Sequence, residues 1–154
     1  SVPFAYDNLS LTGDDHLQDP AISRAGAACP DAPVGDGFLL DQLGDTFVLL
    51  TINCSSTQLI NTHGIELRSV TVNSSTDPSG LLAARYLGTF SKAVYLIRPD
   101  QHIAARWLEI NPSAIEHTLL KATAHYQADH NETTNLNGFD SYCCDDQQNT
   151  QSDQ

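Results

Sequence analysis

The apolar and polar positions between residues 37 and 127 predict four strands. The segment TFVLLTIN (46–53) is a continuous apolar run, which is typical of a strand buried on both faces. The segment IELRSVTVN (65–73) alternates apolar and polar residues, so it predicts a second strand. Two more strands, AVYLIR (93–98) and HIAARW (102–107), flank a Pro-Asp-Gln turn in which proline suits the first central position.

Three helices are predicted between and after these strands. The first covers residues 55–64, because Ser55 or Ser56 can cap its N-terminus and a glycine can end it. The second covers residues 77–88 and also ends at a glycine. The third covers residues 111–126, and its apolar stripe consists of Ile115, Leu119, Leu120 and Ala122.

The resulting order, β-α-β-α-β-β-α, predicts an α/β fold. A helical crossover makes the first two strands parallel, and the last two strands form an antiparallel hairpin. This is the order of a thioredoxin-like three-layer sandwich. Residues 1–36 are rich in Pro, Asp, Gly and Ala and predict an extended N-terminal arm laid over another surface. Residues 37–127 form the domain, and residues 128–154 are predicted to be a mobile, polar and acidic C-terminal tail.

The net charge of the chain argues against two classes of binding partner, nucleic acids and anionic membranes. Nineteen acidic and seven basic residues give a formal charge of -12, whereas nucleic acids and anionic membranes attract basic surfaces. The sequence has no apolar run of about 18 residues and no signal-peptide pattern, so we expect a cytoplasmic domain that binds neither nucleic acid nor membrane. The chain contains no methionine even at position 1, so we expect it to be processed or cut from a longer one.

Three motifs, taken in order, resemble one family. The first is Arg24-Ala25-Gly26-Ala27 followed by Pro30, and the second is GFLLDQLG (37–44) with FVLL (47–50). The third and most specific is YLIRPDQHIAARW (95–107). Together they resemble the C-terminal domain of FAD-dependent aromatic hydroxylases, the group of phenol and hydroxyphenylpropionate hydroxylases and polyketide-tailoring flavin monooxygenases. The resemblance covers about residues 5–125.

This resemblance implies a parent enzyme that uses FAD and NAD(P)H to insert one oxygen atom of O₂ into an aromatic ring. Its flavin and substrate sites lie in two preceding domains, which would be the partners of this one. The C-terminal domain is thioredoxin-like, usually lacks the redox cysteine pair, and serves structure or subunit contacts, so a homo-oligomer is left open. The chain has no G-x-G-x-x-G loop, so we expect no cofactor site in it.

Cys54 is the one candidate catalytic residue. It follows the first strand and precedes the first predicted helix, whose N-terminus would stabilise a thiolate. No resolving cysteine follows in Cys54-Ser-Ser-Thr57, as a dithiol oxidoreductase would need. The spacing of Thr51 and Cys54 is similar to the T-x-x-C of peroxiredoxins, but these enzymes have a proline four residues before the threonine, where this chain has Phe47. The alternative to a non-catalytic domain is therefore a stand-alone thiol redox protein that uses Cys54, whereas the simpler interpretation makes Cys54 a small packing residue.

The last hairpin offers a second candidate cluster. Arg98 and Arg106 would hold an anion there and His102 would carry a proton. We favour the simpler interpretation, a Pro-Asp turn in which Arg98 pairs with an acidic neighbour.

Metal and disulfide chemistry have little support in the sequence. His125, Asp129 and His130 have a weak metal spacing, but a solvated helix end explains them as well, so no metal site is predicted. No C-x-x-C motif is present, and we expect reduced thiols at Cys29, Cys54, Cys143 and Cys144.

Overall fold

The fold is described from a computed structural model, which describes residues 12–55 and 58–124. Residue contacts divide the chain after Ala122 into two units, and the sheet belongs to the first. The strands are β1 (Pro33–Val34), β2 (Gly37–Phe38), β3 (Phe47–Ile52), β4 (Leu67–Val72), β5 (Ala93–Ile97) and β6 (Ile103–Trp107). The helices are α1 (Leu81–Tyr86) and α2 (helical residues 112–124), with 3₁₀ turns at Ala21–Ser23 and Leu39–Gln42.

The main sheet has four strands in the order β4-β3-β5-β6. Strand β3 is parallel to β4, from Phe47 opposite Leu67 to Ile52 opposite Val72. It is antiparallel to β5, and β5 is antiparallel to β6. The four predicted strands, the parallel first pair and the final hairpin are confirmed, and the chain has a mixed α/β fold.

Alternate residues of β3 enter two separate apolar cores. Val48 and Leu50 pack on the side of α1 and the N-terminal segment, where Tyr86 is fully buried. Phe47 and Leu49 pack on the other side, in the same cluster as the α2 residues Ile115, Leu119 and Ala122. Burying one such large apolar side chain contributes about 1.5–3 kcal/mol, so covering both faces explains why five of the six residues of β3 are apolar.

The predicted helix at residues 55–64 is wrong for the part that the structure describes. Residues 58–62 are irregular and a turn occupies His63 and Gly64. Leu59 is 97% exposed, because the segment contains no apolar stripe with a period of 3.6 residues. The connection between β3 and β4 is therefore a loop over residues 58–66. The prediction that Leu120 belongs to the apolar stripe of α2 is also wrong, since Leu120 is 42% exposed.

Residues 13–29 of the predicted arm lie along β6 of the same unit, whereas residues 33–36 belong to the β1–β2 hairpin. One stretch of residues 13–29 pairs with β6 in a parallel sense and a second stretch in an antiparallel sense. The backbone bonds run from Gly13 N to Ala104 O (2.7 Å), Arg106 N to Asp14 O (2.9 Å), His16 N to Arg106 O (3.0 Å), Gly26 N to Ile103 O (2.7 Å) and Ile103 N to Ala27 O (2.9 Å). The outer edge of β6 is thus occupied. The predicted tail, residues 128–154, lies outside the described residues.

Candidate functional site

Arg106 is the centre of a buried polar cluster between β6 and the N-terminal segment. Its side chain is fully buried, and Nε donates to Asp15 Oδ1 over 2.6 Å. Nη1 donates to the Pro20 carbonyl over 2.7 Å and to Ser23 Oγ over 3.2 Å. A buried guanidinium is tolerated only when carboxylates and carbonyls compensate for its lost hydration. Residues 15–23 supply this compensation, so they are fixed around Arg106.

Asp15 is the carboxylate that neutralises this arginine. Its Oδ2 accepts a hydrogen bond from Ala25 N over 2.9 Å, and its Oδ1 accepts one from Gln18 N over 3.3 Å. Burial alone raises the pKa of Asp15, but the hydrogen bonds from Arg106, Ala25 and Gln18 together outweigh it and lower that pKa. Asp15 is therefore anionic at neutral pH, and the charge of Arg106 is already compensated.

Tyr95 and Ser23 complete the cluster. The Tyr95 hydroxyl lies 3.0 Å from Ser23 Oγ and donates to the Tyr86 carbonyl. The rings of Tyr86 and Tyr95 meet edge to face, with centroids 5.0 Å apart. Asp15 and Ser23 are not among the candidate residues that the sequence indicates. An arginine in the middle of an apolar strand was the available signal, since such a residue requires a buried partner.

Arg98 and Asp100 form a second, separate ion pair in the turn between β5 and β6. Arg98 is 5% exposed, and it donates through Nε and Nη2 to the two carboxylate oxygens over 3.1 and 2.7 Å. Burial raises the pKa of Asp100, and the hydrogen bonds and charge of Arg98 outweigh that effect and lower it. His102 N also donates to Asp100 Oδ1 over 3.2 Å. The arginines pair with different carboxylates, as the turn interpretation predicts for Arg98.

Cys29 lies buried beneath this turn. Its backbone N–H donates to the Gln101 carbonyl over 2.9 Å, and its side chain is 8% exposed. Burial raises the pKa of the Cys29 thiol to about 12. The thiol is therefore protonated at neutral pH and serves packing.

Cys54 lies half-buried at the end of β3, beside a pocket of about 150 Å³. Sγ lies 3.6 Å from the carbonyls of Ile52 and Ala93. Burial raises the pKa of Cys54, although the charge of nearby Lys92 acts in the opposite direction. Residues 58–64 form no helix that could stabilise a thiolate. The geometry favours the packing interpretation, and the catalytic role of Cys54 stays a prediction.

The part of the chain that the structure describes has no group of three potential metal ligands, and the amides of Leu82 and Ala83 in the first turn of α1 are occupied. Residues 12–55 and 58–124 hold no group of three potential metal ligands, and His125, Asp129 and His130 lie outside them. The first turn of α1 offers no phosphate site, because Asp77 already accepts from Leu82 N and Ala83 N over 3.1 and 2.9 Å. A cofactor pyrophosphate would meet that carboxylate. The helices in these ranges are also too short or too polar to cross a membrane.

Comparison with known proteins gives matches among solved structures alone. No family model and no curated protein matches the chain. It resembles aklavinone-11 hydroxylase in a ternary complex with FAD and aklavinone (24% identity, TM-score 0.53) and RebC soaked with K252c (25% identity, TM-score 0.53). It also resembles the flavin-dependent monooxygenase PieE in complex with FAD and substrate (20% identity, TM-score 0.50).

These matches cover most of this chain and a small part of each neighbour. They include 73–74% of this chain, whereas the chain spans 21–25% of the length of those proteins. The likeness therefore shows that the chain shares its α/β fold with a segment that makes up about a quarter of the length of each of these proteins.

Proposed function

We propose that this chain is a non-catalytic, C-terminal domain of an FAD- and NAD(P)H-dependent aromatic-ring hydroxylase, with a thioredoxin-like fold. It braces the preceding flavin-binding and substrate domains, and it contributes to subunit contacts if the parent enzyme is an oligomer. The chain resembles about a quarter of the length of each of several flavin-dependent monooxygenases, and this supports a parent enzyme of that class. The strand order β4-β3-β5-β6, with one parallel and two antiparallel pairs, supports the fold class.

The observation that carries the non-catalytic role is the internal pairing of the two buried arginines. Arg106 is held by Asp15, and Arg98 is held by Asp100. A catalytic arginine keeps its donors available for a substrate or a developing negative charge. In contrast, Nε and Nη1 of Arg106 and Nε and Nη2 of Arg98 are already bonded to groups of this chain, and these bonds hold the N-terminal segment and the β5–β6 turn in place. Their role in this proposal is structural.

The FAD of the proposed parent enzyme is assigned to the preceding domains. FAD would supply the activated oxygen there, and this domain would hold neither the flavin nor the substrate. The carboxylate of Asp77 at the start of α1 supports this assignment, because it takes up the amides that a pyrophosphate would need.

The first experiment reads the coding DNA upstream of Ser1 and tests the purified chain for activity. We expect an open frame that encodes a strand, a G-x-G-x-x-G loop and a helix. We also expect the chain alone to leave flavin fluorescence, NADPH and peroxide concentrations unchanged. The opposite result is a start codon directly before Ser1 together with peroxide turnover that Cys54→Ser abolishes and the neighbouring Ser55→Ala retains. That result would establish the thiol redox protein instead.

A second experiment tests the bracing role in the parent enzyme. The encoded parent chain is compared with a version that ends before Ser1, by melting temperature and by FAD retained on dialysis. We expect the shortened chain to melt at lower temperature and to lose FAD, and unchanged values for both would contradict the role.

A further inference from the structure

Strand β4 is an open edge of the sheet in the part of the chain that the structure describes. The opposite edge, β6, is covered by the N-terminal segment, whereas β3 is the only strand that pairs with β4 in the described ranges. Asn53 N donates to the Val72 carbonyl, so the peptide groups of Val72 and of every second residue before it face β3. The N–H and C=O groups of Ser69 and Thr71 therefore face outward, where another strand could pair with them.

A groove of about 380 Å³ runs beside this edge, between β4 and the β1–β2 hairpin. Its apolar part consists of Val34, Val70 and Phe38, and the Phe38 side chain is 51% exposed. The hairpin is fixed at this distance from the sheet because Gly35 N donates to the Thr76 carbonyl over 2.8 Å. The groove thus combines an unpaired strand edge with an exposed aromatic side chain.

Two carboxylates, Asp36 and Asp41, line the same groove. Neither has a cationic partner among the described residues, and Arg68 of β4 pairs with Asp45. Two copies of the chain that joined through β4 would bring these carboxylates toward each other, and each copy carries a formal charge of -12. Like charges disfavour that arrangement, so charge complementarity favours a basic occupant.

We propose that this groove binds an extended, basic segment of another polypeptide. The segment adds to β4 as an outer strand through the peptide groups of Ser69 and Thr71. It places an apolar side chain against Phe38 and a lysine or arginine near Asp36 and Asp41. This inference goes beyond the bracing function, and it holds or fails whatever the parent enzyme is.

The test uses the synthetic peptide acetyl-KTVTKTVT-amide and NMR titration of the ¹⁵N-labelled chain. Successive side chains of a strand point to opposite faces, so lysine and valine alternate along one face of this peptide and threonine occupies the other. We expect the largest shifts at Ser69, Thr71 and Phe38, and slower amide exchange at Ser69 and Thr71. Thr71→Pro removes one outward donor while leaving the backbone bonds to β3, although it also removes the exposed contact of Thr71 Oγ1 with Thr51 Oγ1 (3.5 Å). It should weaken binding about tenfold. Asp36→Asn with Asp41→Asn should weaken binding about two- to fivefold for each charge.

The controls separate this groove from general attraction to an acidic protein. Glu109→Gln removes one charge elsewhere and should leave the affinity unchanged, and a peptide with glutamate in place of lysine should not bind. Equal affinity of Thr71→Pro and the wild type, or no shifts at millimolar peptide, would overturn the proposal. Protection of Ser69 and Thr71 that grows with protein concentration and without peptide would also overturn it, since the occupant would then be a second copy.

Discussion

Asp15 and Arg106 are separated by 91 positions in the sequence, yet Asp15 Oδ1 accepts a hydrogen bond from Arg106 Nε over 2.6 Å. The arginine is fully buried, and the carboxylate is 28% exposed. This pair ties the N-terminal segment to β6, so its loss should affect the stability of the whole unit.

Asp15→Asn should lower the free energy of unfolding by about 3 kcal/mol, because it leaves the buried Arg106 without a compensating charge. Urea denaturation followed by Trp107 fluorescence measures this loss. Asp45→Asn is the matched control, since Asp45 pairs with Arg68 at the surface and its side chain is 75% exposed. It should cost about 0–1 kcal/mol. Equal losses in the two variants would show that the Asp15–Arg106 pair stabilises the fold no more than a surface ion pair does.

The stability of the chain should depend on Asp15 at low pH. Because the pKa of Asp15 is lowered in the folded state, its contribution is complete above the unfolded value of about 3.8 and declines as the pH falls through the folded value. Urea unfolding should be measured from about pH 7 to about pH 2.5. The free energy of unfolding should fall less over this range in Asp15→Asn than in the wild type. Parallel pH curves for the two proteins would contradict this.

The thiols of Cys29 and Cys54 should both react slowly with a disulfide reagent such as DTNB. Raising the pKa of Cys29 from 9.0 to about 12 lowers its thiolate fraction about a thousandfold at neutral pH, so it should react only after unfolding. Cys54 should react more slowly than free cysteine. A Cys143→Ser, Cys144→Ser background removes the other two thiols. Cys54 labelling faster than that of free cysteine would instead support the thiol redox alternative.

Gly13→Ala should destabilise the contact between the N-terminal segment and α2. A Cβ atom at Gly13 would lie 2.7 Å from Thr118 Cγ2, and Thr118 is buried and stiff at χ1. We expect a loss of about 1–3 kcal/mol. Adding Thr118→Ala should recover part of it, which a double-mutant cycle measures.

Gly37→Ala is the control for this cycle, because its added Cβ would come no closer than 3.9 Å to the Asp41 carboxylate. It should change the free energy of unfolding by less than about 0.5 kcal/mol. A cost at Gly13 that Thr118→Ala does not reduce would show that the backbone, and not the side-chain contact, limits this position.

The strands were predictable because their signal is local. The apolar run at Phe47–Ile52 and the alternation at Leu67–Val72 each specify burial without reference to the rest of the chain. The turn at Pro99 and Asp100 is equally local, and it includes the ion pair of Arg98 with Asp100.

The errors arose where the pattern was weak or the partner distant. Serine caps and Gly64 suggested a helix after Cys54, but Leu59 and Ile60 are adjacent and cannot form a helical stripe by themselves. Asp15 and Ser23 could not be assigned, because their partner Arg106 lies more than 80 positions away. A buried arginine in HIAARW needs an acidic partner, but the sequence does not indicate which of the nineteen acidic residues is that partner.

The closure of β6 by residues 13–29 has a consequence for the order in which the chain folds on the ribosome. Translation produces the covering segment about 80 residues before the strand that it covers, so the segment is already present when β6 leaves the ribosome. Such distant pairing raises the contact order and slows folding. It also means that this edge of the sheet is synthesised last and is available to other nascent chains for the shortest time.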